Sequence, residues 1–429
     1  MKEILKTIIR EFHLEELPSF VPRDLRLPLS SGKIITLIGP RRAGKTYLFY
    51  QHLSELLRKG VPKERILYLN FEDERLDFTP QTLDLILQAY RELYPEIELR
   101  EVYFFFDEIQ NAPEWERFVR RIYDRYSRNI FLTGSNSKLL SQEIATSLRG
   151  RTLKYEIYPL SFREFLRFKE FDFDPRRDFY HPQKRARLLS FFEEYLLFGG
   201  FPEIVFLPRE LKFKTLQEYF EVMLYRDLAE RYQIRDTLVL KYFLKRLIEN
   251  TAKPLSVHKI YNELRSQGLK VGKDTLYRYL EYAETVFLVK LLRKHYRSVV
   301  KTELGERKIY PVDQGWIKAL RYLGAEERGV LLETVVFKEL FVLGEEIFYY
   351  SGRGECDFIL NGKTALQVCY DFSKEETLKR EVRGLKKACE YFGFREGFIL
   401  TFDQEDTLTI NSLKIRILPV YKFLLEGIS

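Results

Sequence analysis

The stretch from Lys33 to Thr46, KIITLIGPRRAGKT, decides the predicted fold. Residues 33–38 form a short apolar run rich in β-branched side chains, which predicts a buried strand. Residues 39–46 fit the pattern GxxxxGK[ST] at each fixed position. A helix with an apolar face is predicted to follow and to end at Gly60. A strand, a glycine-rich loop and a helix in this order predict a P-loop.

The residue types in this loop suit phosphate binding. Glycines let backbone N–H groups turn toward phosphate oxygens, and the helix N-terminus adds the positive end of its dipole. We expect Lys45 to reach the β- and γ-phosphates and Thr46 to offer its hydroxyl to Mg²⁺. The residues expected to bind ATP or ADP are Gly39, Pro40, Arg41, Arg42, Ala43, Gly44, Lys45, Thr46 and Tyr47. For the two arginines, side chains that face solvent or a partner are the alternative.

A second predicted strand ends in two acidic residues. The apolar run Val102–Phe106 is followed directly by Asp107 and Glu108. In a P-loop protein, such a strand places one carboxylate at Mg²⁺ and the next at the attacking water. We therefore expect Asp107 to hold the metal ion and Glu108 to be the catalytic base. The pair favours a hydrolase over a P-loop kinase, and the alternative is two surface acids at a strand end.

Two more apolar runs complete a predicted parallel sheet, at residues 66–71 (ILYLNF) and 129–133 (NIFLT). The segments between the strands have helical patterns, and repeated strand–helix order is typical of α/β proteins. Ligands bind at the carboxyl ends of parallel strands. Asn136, or Ser135, is therefore a candidate contact to the γ-phosphate. The alternative is a helix N-cap, which either residue also suits.

Two arginines follow this region in the segment Arg149-Gly150-Arg151. An arginine beside the γ-phosphate neutralises charge in the transition state, and it can come from the same subunit or from a neighbour. Arg149 and Arg151 are candidates for this catalytic role, with ordinary salt bridges as the alternative.

The composition limits the class of protein. The chain has 429 residues, 45% of them hydrophobic and 31% charged, which excludes a largely disordered chain. Its three cysteines form no CxxC pair and its five histidines are scattered, which argues against disulfides and against a Cys- or His-based metal site. No uncharged apolar run approaches the ~18 residues of a membrane span, and the first residues lack the apolar core of a signal peptide. We therefore expect a cytoplasmic protein without a membrane partner.

The formal net charge of +8 is concentrated in one segment. Residues 236–310 hold 16 basic and 8 acidic side chains, which equals the excess of the whole chain. Within it, residues 255–283 are predicted to form two helices around a turn, and two strands follow. This order predicts a winged helix, whose second helix enters a DNA major groove while basic side chains contact phosphates. Candidate contacts to double-stranded DNA are Lys273, Thr275, Arg278, Arg293, Lys294 and Arg297. Packing or contact with a protein partner is the alternative use of this segment.

Taken together, the motifs resemble a known family. GPRRAGKT, YLNFED, FFFDEIQ and FLTGSNSKLL are similar to archaeal and bacterial AAA-superfamily ATPases of the STAND-like branch. The similarity continues through LRGRTLKYEIYPLSFREF, YLLFGGFPEIV and LYRDLAERYQIRD. The resemblance implies a helical lid, a winged helix and a C-terminal domain similar to restriction endonucleases after the ATPase core.

The C-terminal domain resembles a nuclease with an altered site. A PD-(D/E)xK nuclease needs an Asp and a Glu on adjacent strands to bind metal, and a Lys two residues after the Glu. The matching positions are Glu333 on a helix, Asp357 on a strand, and Gln367 and Cys369 on the next strand. Gln is at best a neutral metal ligand, and a buried Cys does not replace an ammonium. The site is therefore predicted to be catalytically degenerate, and the spacing does not support compensation by Glu355 or Lys374.

These observations predict an α/β protein with a P-loop parallel-sheet core (residues 1–159), a helical lid (160–235), a winged-helix domain (236–312) and a nuclease-like α/β domain (313–429). The leading hypothesis is a Mg²⁺-dependent ATPase that works as a molecular switch and engages DNA or a protein partner. One alternative is an ATP-coupled DNA nuclease that uses the C-terminal domain. The other is a nucleotide-gated protein-interaction switch that binds no nucleic acid.

Overall fold

The computed structural model describes residues 1–134, 148, 150–321, 328–371, 373 and 375–427. The chain forms two compact units, residues 1–158 and 159–429. The division falls beside the predicted end of the P-loop core at residue 159, and the three segments expected after it lie in the second unit.

The first unit is built around a five-stranded sheet. Its strands are β1 Ile34–Ile38, β2 Ile66–Asn70, β3 Tyr103–Asp107, β4 Ile130–Gly134 and β5 Thr152–Glu156. The described helices of this unit are α1 Lys2–Leu14, α2 Lys45–Arg58, α3 Asp84–Leu93 and α4 Trp115–Arg125. Short 3₁₀ turns cover Lys63–Arg65, Leu99–Glu101 and Ile109–Asn111.

All neighbouring strands of this sheet run parallel, in the order β2-β3-β4-β1-β5. A parallel sheet is covered on both faces, and the side chains of β1 and β4 are accordingly buried along their whole length. Between the strands and α2, Phe105 stacks on Phe131 with ring centroids 4.6 Å apart. The predicted parallel-sheet α/β core is confirmed. Its strand order places the ends of β1, β3 and β4 side by side at one edge.

The second unit contains a mixed sheet and a separate two-stranded sheet. Its strands are β6 Val289–Arg293, β7 Arg307–Pro311, β8 Ile347–Ser351, β9 Glu355–Leu360, β10 Thr364–Val368, β11 Glu396–Thr401, β12 Asp406–Ile410 and β13 Leu413–Pro419. The described α-helices are α5 Phe162–Phe168, α6 Pro175–Asp178, α7 Pro182–Phe198, α8 Pro202–Phe206, α9 Arg209–Val222, α10 Thr237–Glu249, α11 Val257–Ser266, α12 Lys273–Thr285, α13 Val299–Leu304, α14 Gly315–Leu320, α15 Arg328–Val342, α16 Glu375–Phe392 and α17 Val420–Glu426. A π-helix, Met223–Glu230, continues α9. Among the helices in the described ranges, none is both long and apolar enough to cross a membrane.

The mixed sheet has the strand order β12-β13-β11-β10-β9-β8. Strands β10, β11 and β13 are parallel, while β8, β9 and β12 pair antiparallel with their neighbours. The helices α11 and α12 precede the antiparallel pair β6–β7, in the order predicted from the sequence. The short helix α13 occupies the connection between these two strands. The winged-helix assignment of this segment stays a prediction.

A buried ion pair joins distant parts of the second unit. Asp313 is fully buried, accepts a hydrogen bond from the Gly200 N–H at 2.9 Å, and lies 2.9 Å from the Lys338 ammonium. A Cβ atom at Gly199 would lie 1.7 Å from an Asp313 carboxylate oxygen. The glycine pair after α7 therefore exists because the chain must pass closely around this carboxylate. The apolar core around the pair is continuous, from Leu160 to Leu425.

Candidate functional site

The loop between β1 and α2 approaches its neighbours too closely for larger side chains. A Cβ atom at Gly39 would lie 2.1 Å from the Ile157 carbonyl oxygen. Gly44 has φ 93°, in the left-handed region, and forms the N-cap of α2. The loop backbone is thus fixed between a buried strand and a helix N-terminus, which is the geometry of a phosphate-binding loop.

The Lys45 side chain folds back over this loop. Its Nζ donates to the carbonyl oxygens of Gly39 and Pro40, at 3.3 and 3.2 Å. The same atom lies 3.5 Å from the Glu108 carboxylate, and the lysine is only 4% exposed. The two residues predicted to bind phosphate and to activate water therefore form an ion pair in this structure.

The Asp107 carboxylate, at the end of β3, is held by three hydroxyl groups. Thr46 donates to Oδ2 at 2.8 Å, Tyr68 donates to the same oxygen at 3.2 Å, and Thr133 donates to Oδ1. Burial raises the pKa of Asp107, while the hydrogen bonds from Thr133 and Thr46 stabilise the anion and oppose that rise. A hydroxyl and a carboxylate are thus adjacent, and such oxygen ligands suit Mg²⁺.

Glu108 is positioned through its backbone. Its φ is 50°, and its N–H donates to the Thr133 hydroxyl at 2.8 Å. Its carboxylate accepts a hydrogen bond from the Gln110 amide at 2.6 Å. Thr133 therefore bonds to both acidic residues and links β4 to the end of β3.

Sequence reasoning missed Thr133, Tyr68 and Gln110. The signal for Thr133 was its place at the carboxyl end of a buried strand, as in the NIFLT run. Strand order, which the sequence did not provide, was needed to see that this end adjoins Asp107. Tyr68 carried no signal, because an aromatic residue in an apolar strand is ordinary core composition.

The other predicted residues of the loop differ in their exposure and in their contacts. Arg41 pairs with Glu72 at 3.0 Å, Arg42 has φ 66° and is exposed, and Tyr47 is half exposed. Ala43 is completely buried. The predictions for Ser135, Asn136 and Arg149 fall outside the described residues.

Arg151 lies at the opposite edge of the sheet from the P-loop. Strands β5 and β1 are parallel and Ile34 is opposite Thr152, so Arg151 precedes both strands at their amino ends. Its guanidinium pairs with Asp124 at 2.9 Å. The expectation that Arg151 contacts the γ-phosphate of its own subunit is wrong, because the phosphates belong at the carboxyl ends. A role toward a neighbouring subunit stays a prediction.

The side chains predicted to contact DNA form two groups. On α12, Lys273 and Arg278 are exposed. The Lys273 ammonium lies 5.3 Å from the ring centre of Tyr261, and Arg278 donates to Thr275 at 3.3 Å. No carboxylate is paired with either cation among the ion pairs of the described residues. This helix therefore presents available positive charge.

The second group, around the β6–β7 pair, is partly neutralised. Arg293 pairs with Glu303 at 2.7 Å, and Lys294 pairs with Glu306 at 3.1 Å. Arg297 is exposed and lies over the ring of Tyr391.

The residues of the nuclease-like pattern do come together in the second unit. Gln367 accepts a hydrogen bond from the Asp357 N–H at 3.3 Å, and Glu333 and Asp357 both lie within 4 Å of the Lys308 ammonium. Cys369 is buried, and burial raises its pKa to about 11, so its thiol stays protonated. Sequence reasoning missed Lys308, which precedes Asp357 by about fifty residues and carries no motif. Lys374 falls outside the described residues.

Parts of this chain match known protein families. Residues 31–166 match a family model described as an AAA domain, which spans the P-loop, Asp107, Glu108 and Thr133. Residues 190–327 match a domain of unknown function. The uncharacterized protein MJ1544 of Methanocaldococcus jannaschii is 36% identical over 440 residues, covering 98% of this chain and 95% of the relative. This chain belongs to the MJ1544 family. Its first unit contains an AAA-type P-loop domain.

The MJ1544 family also has a bacterial member. An uncharacterized protein of Haemophilus influenzae is 32% identical over 345 residues, covering 79% of this chain and 80% of the relative. In a structural comparison, the AMPPCP-bound DnaA of Aquifex aeolicus aligns with 66% of this chain and with 86% of the DnaA chain, with a TM-score of 0.25 and 14% sequence identity. A TM-score that low establishes no shared fold for the whole chain.

Proposed function

We propose that this chain is a Mg²⁺-dependent ATPase whose nucleotide state controls a DNA-binding segment in its second unit. The supporting observation is that Lys45, Thr46, Asp107 and Glu108 meet at the carboxyl edge of the parallel sheet. The AAA-domain match over residues 31–166 agrees with this assignment.

The chain has a residue for each requirement of ATP binding. The loop N–H groups and the Lys45 ammonium would bind the phosphates. Thr46 and Asp107 would hold Mg²⁺, which would neutralise phosphate charge during transfer. The site fits this ion because a hydroxyl oxygen and a carboxylate oxygen already lie 2.8 Å apart there.

Glu108 is the proposed general base. In this structure its carboxylate is paired with Lys45, and phosphate oxygens would compete for that ammonium. Loss of the pair would remove the cation beside the Glu108 carboxylate, which keeps its bond from Gln110 and would orient and polarise the attacking water. The bond from the Glu108 N–H to Thr133 keeps the residue at the strand end during this exchange.

Substitutions at Lys45 and Glu108 separate binding from turnover. We expect Lys45→Ala to abolish ATP binding, because the charge that reaches the phosphates is lost. We expect Glu108→Gln to retain binding and to lower kcat by about 10²-fold or more, which is the contribution of a general base. Fluorescent-nucleotide titration and phosphate release measure the two effects.

Glu96→Gln, at an exposed position, is the matched control and should leave both quantities unchanged. Turnover by Glu108→Gln at the wild-type rate would contradict the assignment of the base.

The second part of the proposal concerns α12. Its exposed Lys273 and Arg278 lie in the segment that holds the basic excess of the chain, and two helices and a strand pair surround them in winged-helix order. Basic side chains on such a helix contact DNA phosphates and base edges.

Salt-dependent binding tests this part. We expect Lys273→Glu/Arg278→Glu to weaken binding of a 30-base-pair duplex and to flatten its salt dependence, because each lost phosphate contact lowers the slope of log K against log[salt] by about one. Fluorescence anisotropy at several salt concentrations measures both.

Lys59→Glu/Lys363→Glu changes the net charge by the same amount at exposed sites elsewhere and should have a much smaller effect. Absence of binding by the wild-type chain at low salt would favour a protein partner instead.

A further inference from the structure

A buried lysine lies among three carboxylates in the second unit. Lys308, on β7, is 2% exposed. Its Nζ is 3.0 Å from Glu355, 3.3 Å from Asp357 and 3.7 Å from Glu333. Glu355 and Asp357 belong to β9 and Glu333 to α15, so one ammonium joins three elements.

The other polar groups of the cluster are already engaged. The Tyr310 hydroxyl donates to Glu333 at 2.6 Å, and a backbone N–H of β10 donates to the second Asp357 oxygen at 3.0 Å. Gln367, at the position where a nuclease has its metal-binding Glu, has its oxygen bonded to the Asp357 N–H. Its amide nitrogen donates to Glu381 at 2.6 Å. Each of the side chains at the metal-ligand positions, Glu333, Asp357 and Gln367, therefore has an oxygen bound to a donor of the protein.

The nuclease-like pattern implies a divalent cation, and these residues do not fit one. Mg²⁺ is bound by oxygens at about 2.0–2.1 Å. The carboxylates here surround an ammonium at hydrogen-bonding and ion-pairing distances instead. Within the described ranges, no group of three or more His, Cys, Asp or Glu side chains is arranged to hold a metal ion.

The nearby carboxylates explain why a charged lysine is stable in this buried position. Asp357 and Glu333 are largely buried, whereas Glu355 is exposed. Buried carboxylates that lie close together repel one another and lose hydration, and a cation between them offsets both costs. Burial alone would lower the pKa of Lys308, but the attraction of Glu333, Asp357 and Glu355 outweighs it and raises that pKa. The ammonium therefore stays charged at any physiological pH.

We propose that the Lys308 ammonium takes the place of the divalent cation in this nuclease-like site, ties β7 to β9 and α15, and leaves no metal-dependent DNA cleavage at these residues. The chain would then have an internal cation where a nuclease takes one from solution. This inference is independent of the ATPase proposal, because none of its residues belongs to the P-loop unit.

Mn²⁺ binding tests the replacement. Nucleotide-free protein is titrated with Mn²⁺, and bound ion is counted by electron paramagnetic resonance. We expect no difference between the wild type and Asp357→Asn, since the site holds no metal. We expect Lys308→Met to be less stable and to gain Mn²⁺ binding, with a rise in its melting temperature of about 5 °C at saturating Mn²⁺. Adding Asp357→Asn to Lys308→Met should abolish that gain.

Two results would overturn the proposal. One is Mn²⁺ binding by the wild type that Asp357→Asn removes, or cleavage of supercoiled plasmid with Mn²⁺ that the same substitution removes. The other is a folded Lys308→Met that gains no Mn²⁺. If Lys308→Met does not fold, the comparison of the wild type with Asp357→Asn still decides, because it needs no lysine variant. A wild-type chain that hydrolyses no ATP would leave all of these readings unchanged, so failure of the ATPase proposal is distinguishable from failure of this one.

Discussion

At the scale of single residues, His52 is a buried base without a partner. It lies on α2 against the rings of Phe105 and Phe131, and neither ring nitrogen has a hydrogen-bond partner among the described residues. Burial lowers its pKa to about 4 from 6.5. The unfolded chain therefore binds the proton more readily than the folded one. The stability that neutral His52 gives is complete above about pH 6.5 and is lost as the pH falls toward 4.

Because the pKa of His52 is lowered by folding, a substitution at this position should have a pH-dependent effect on stability. We expect His52→Leu to unfold at nearly the wild-type urea concentration at pH 7.5. At pH 4.5 it should gain about 2–3 kcal/mol over the wild type, because Leu has no proton to bind. Urea unfolding at the two pH values measures the difference.

His258→Leu, at an exposed position, is the control and should show no such gain. An equal effect of His52→Leu at both pH values would mean that the residue acts only through packing.

Single residues also show which parts of the candidate site could be predicted from the sequence and which could not. Lys45, Thr46, Asp107 and Glu108 were predicted because fixed spacing and a strand end carry their chemistry locally. Thr133 and Lys308 were not, because each acts on a residue that only the strand order brings near. A hydroxyl or ammonium contributed from a distant strand leaves no pattern in the chain, although both are as well placed as the motif residues.

At the scale of elements, the end of α7 shows why a particular helix needs a particular glycine. Gly199 and Gly268 both end helical segments with φ 78°. A Cβ atom would meet Asp313 at Gly199, whereas nothing lies within 4 Å at Gly268. The buried carboxylate that excludes a side chain at Gly199 is over a hundred residues away in the sequence, so local sequence patterns could not have predicted this requirement.

The two glycines make a matched pair of substitutions. We expect Gly268→Ala to cost about 1–2 kcal/mol, which is the strain of a left-handed alanine. Gly199→Ala should cost clearly more, because the methyl group also displaces Asp313 from Lys338 and Gly200. Thermal unfolding of the two variants measures this difference, and equal losses would show that contact with Asp313 is unimportant.

At the scale of the whole molecule, the second unit does not divide along the predicted boundaries in its packing. One apolar core has members from all three predicted segments, from Leu160 to Leu425, and a second core lies within residues 350–417. Asp313, just past the predicted boundary at residue 312, bonds to Gly200 and Lys338 on either side. Helical periodicity and motif order indicated three segments, but they contain no information on which faces pack together. We therefore expect the shared core to couple the unfolding of the three predicted segments.

Fragments test this cooperativity. We expect residues 159–429, expressed alone, to unfold in a single transition. Residues 313–429 alone should be far less stable, because they lack Gly200 and Leu160, which bond to Asp313 and Lys338, and the part of the core contributed by residues 160–312. Circular dichroism and amide NMR spectra check both. A well-dispersed spectrum from residues 313–429 would show that this segment folds independently.

The ion pair between Lys45 and Glu108 has a consequence for selectivity. A bare ammonium in a phosphate-binding loop would attract any small anion. Here an incoming anion must outcompete a carboxylate that is tethered beside the lysine at very high local concentration. A monovalent anion only exchanges one partner for another, whereas a polyphosphate chain adds contacts along the whole loop. If the loop binds ATP as proposed, the pair would favour polyphosphates over simple anions.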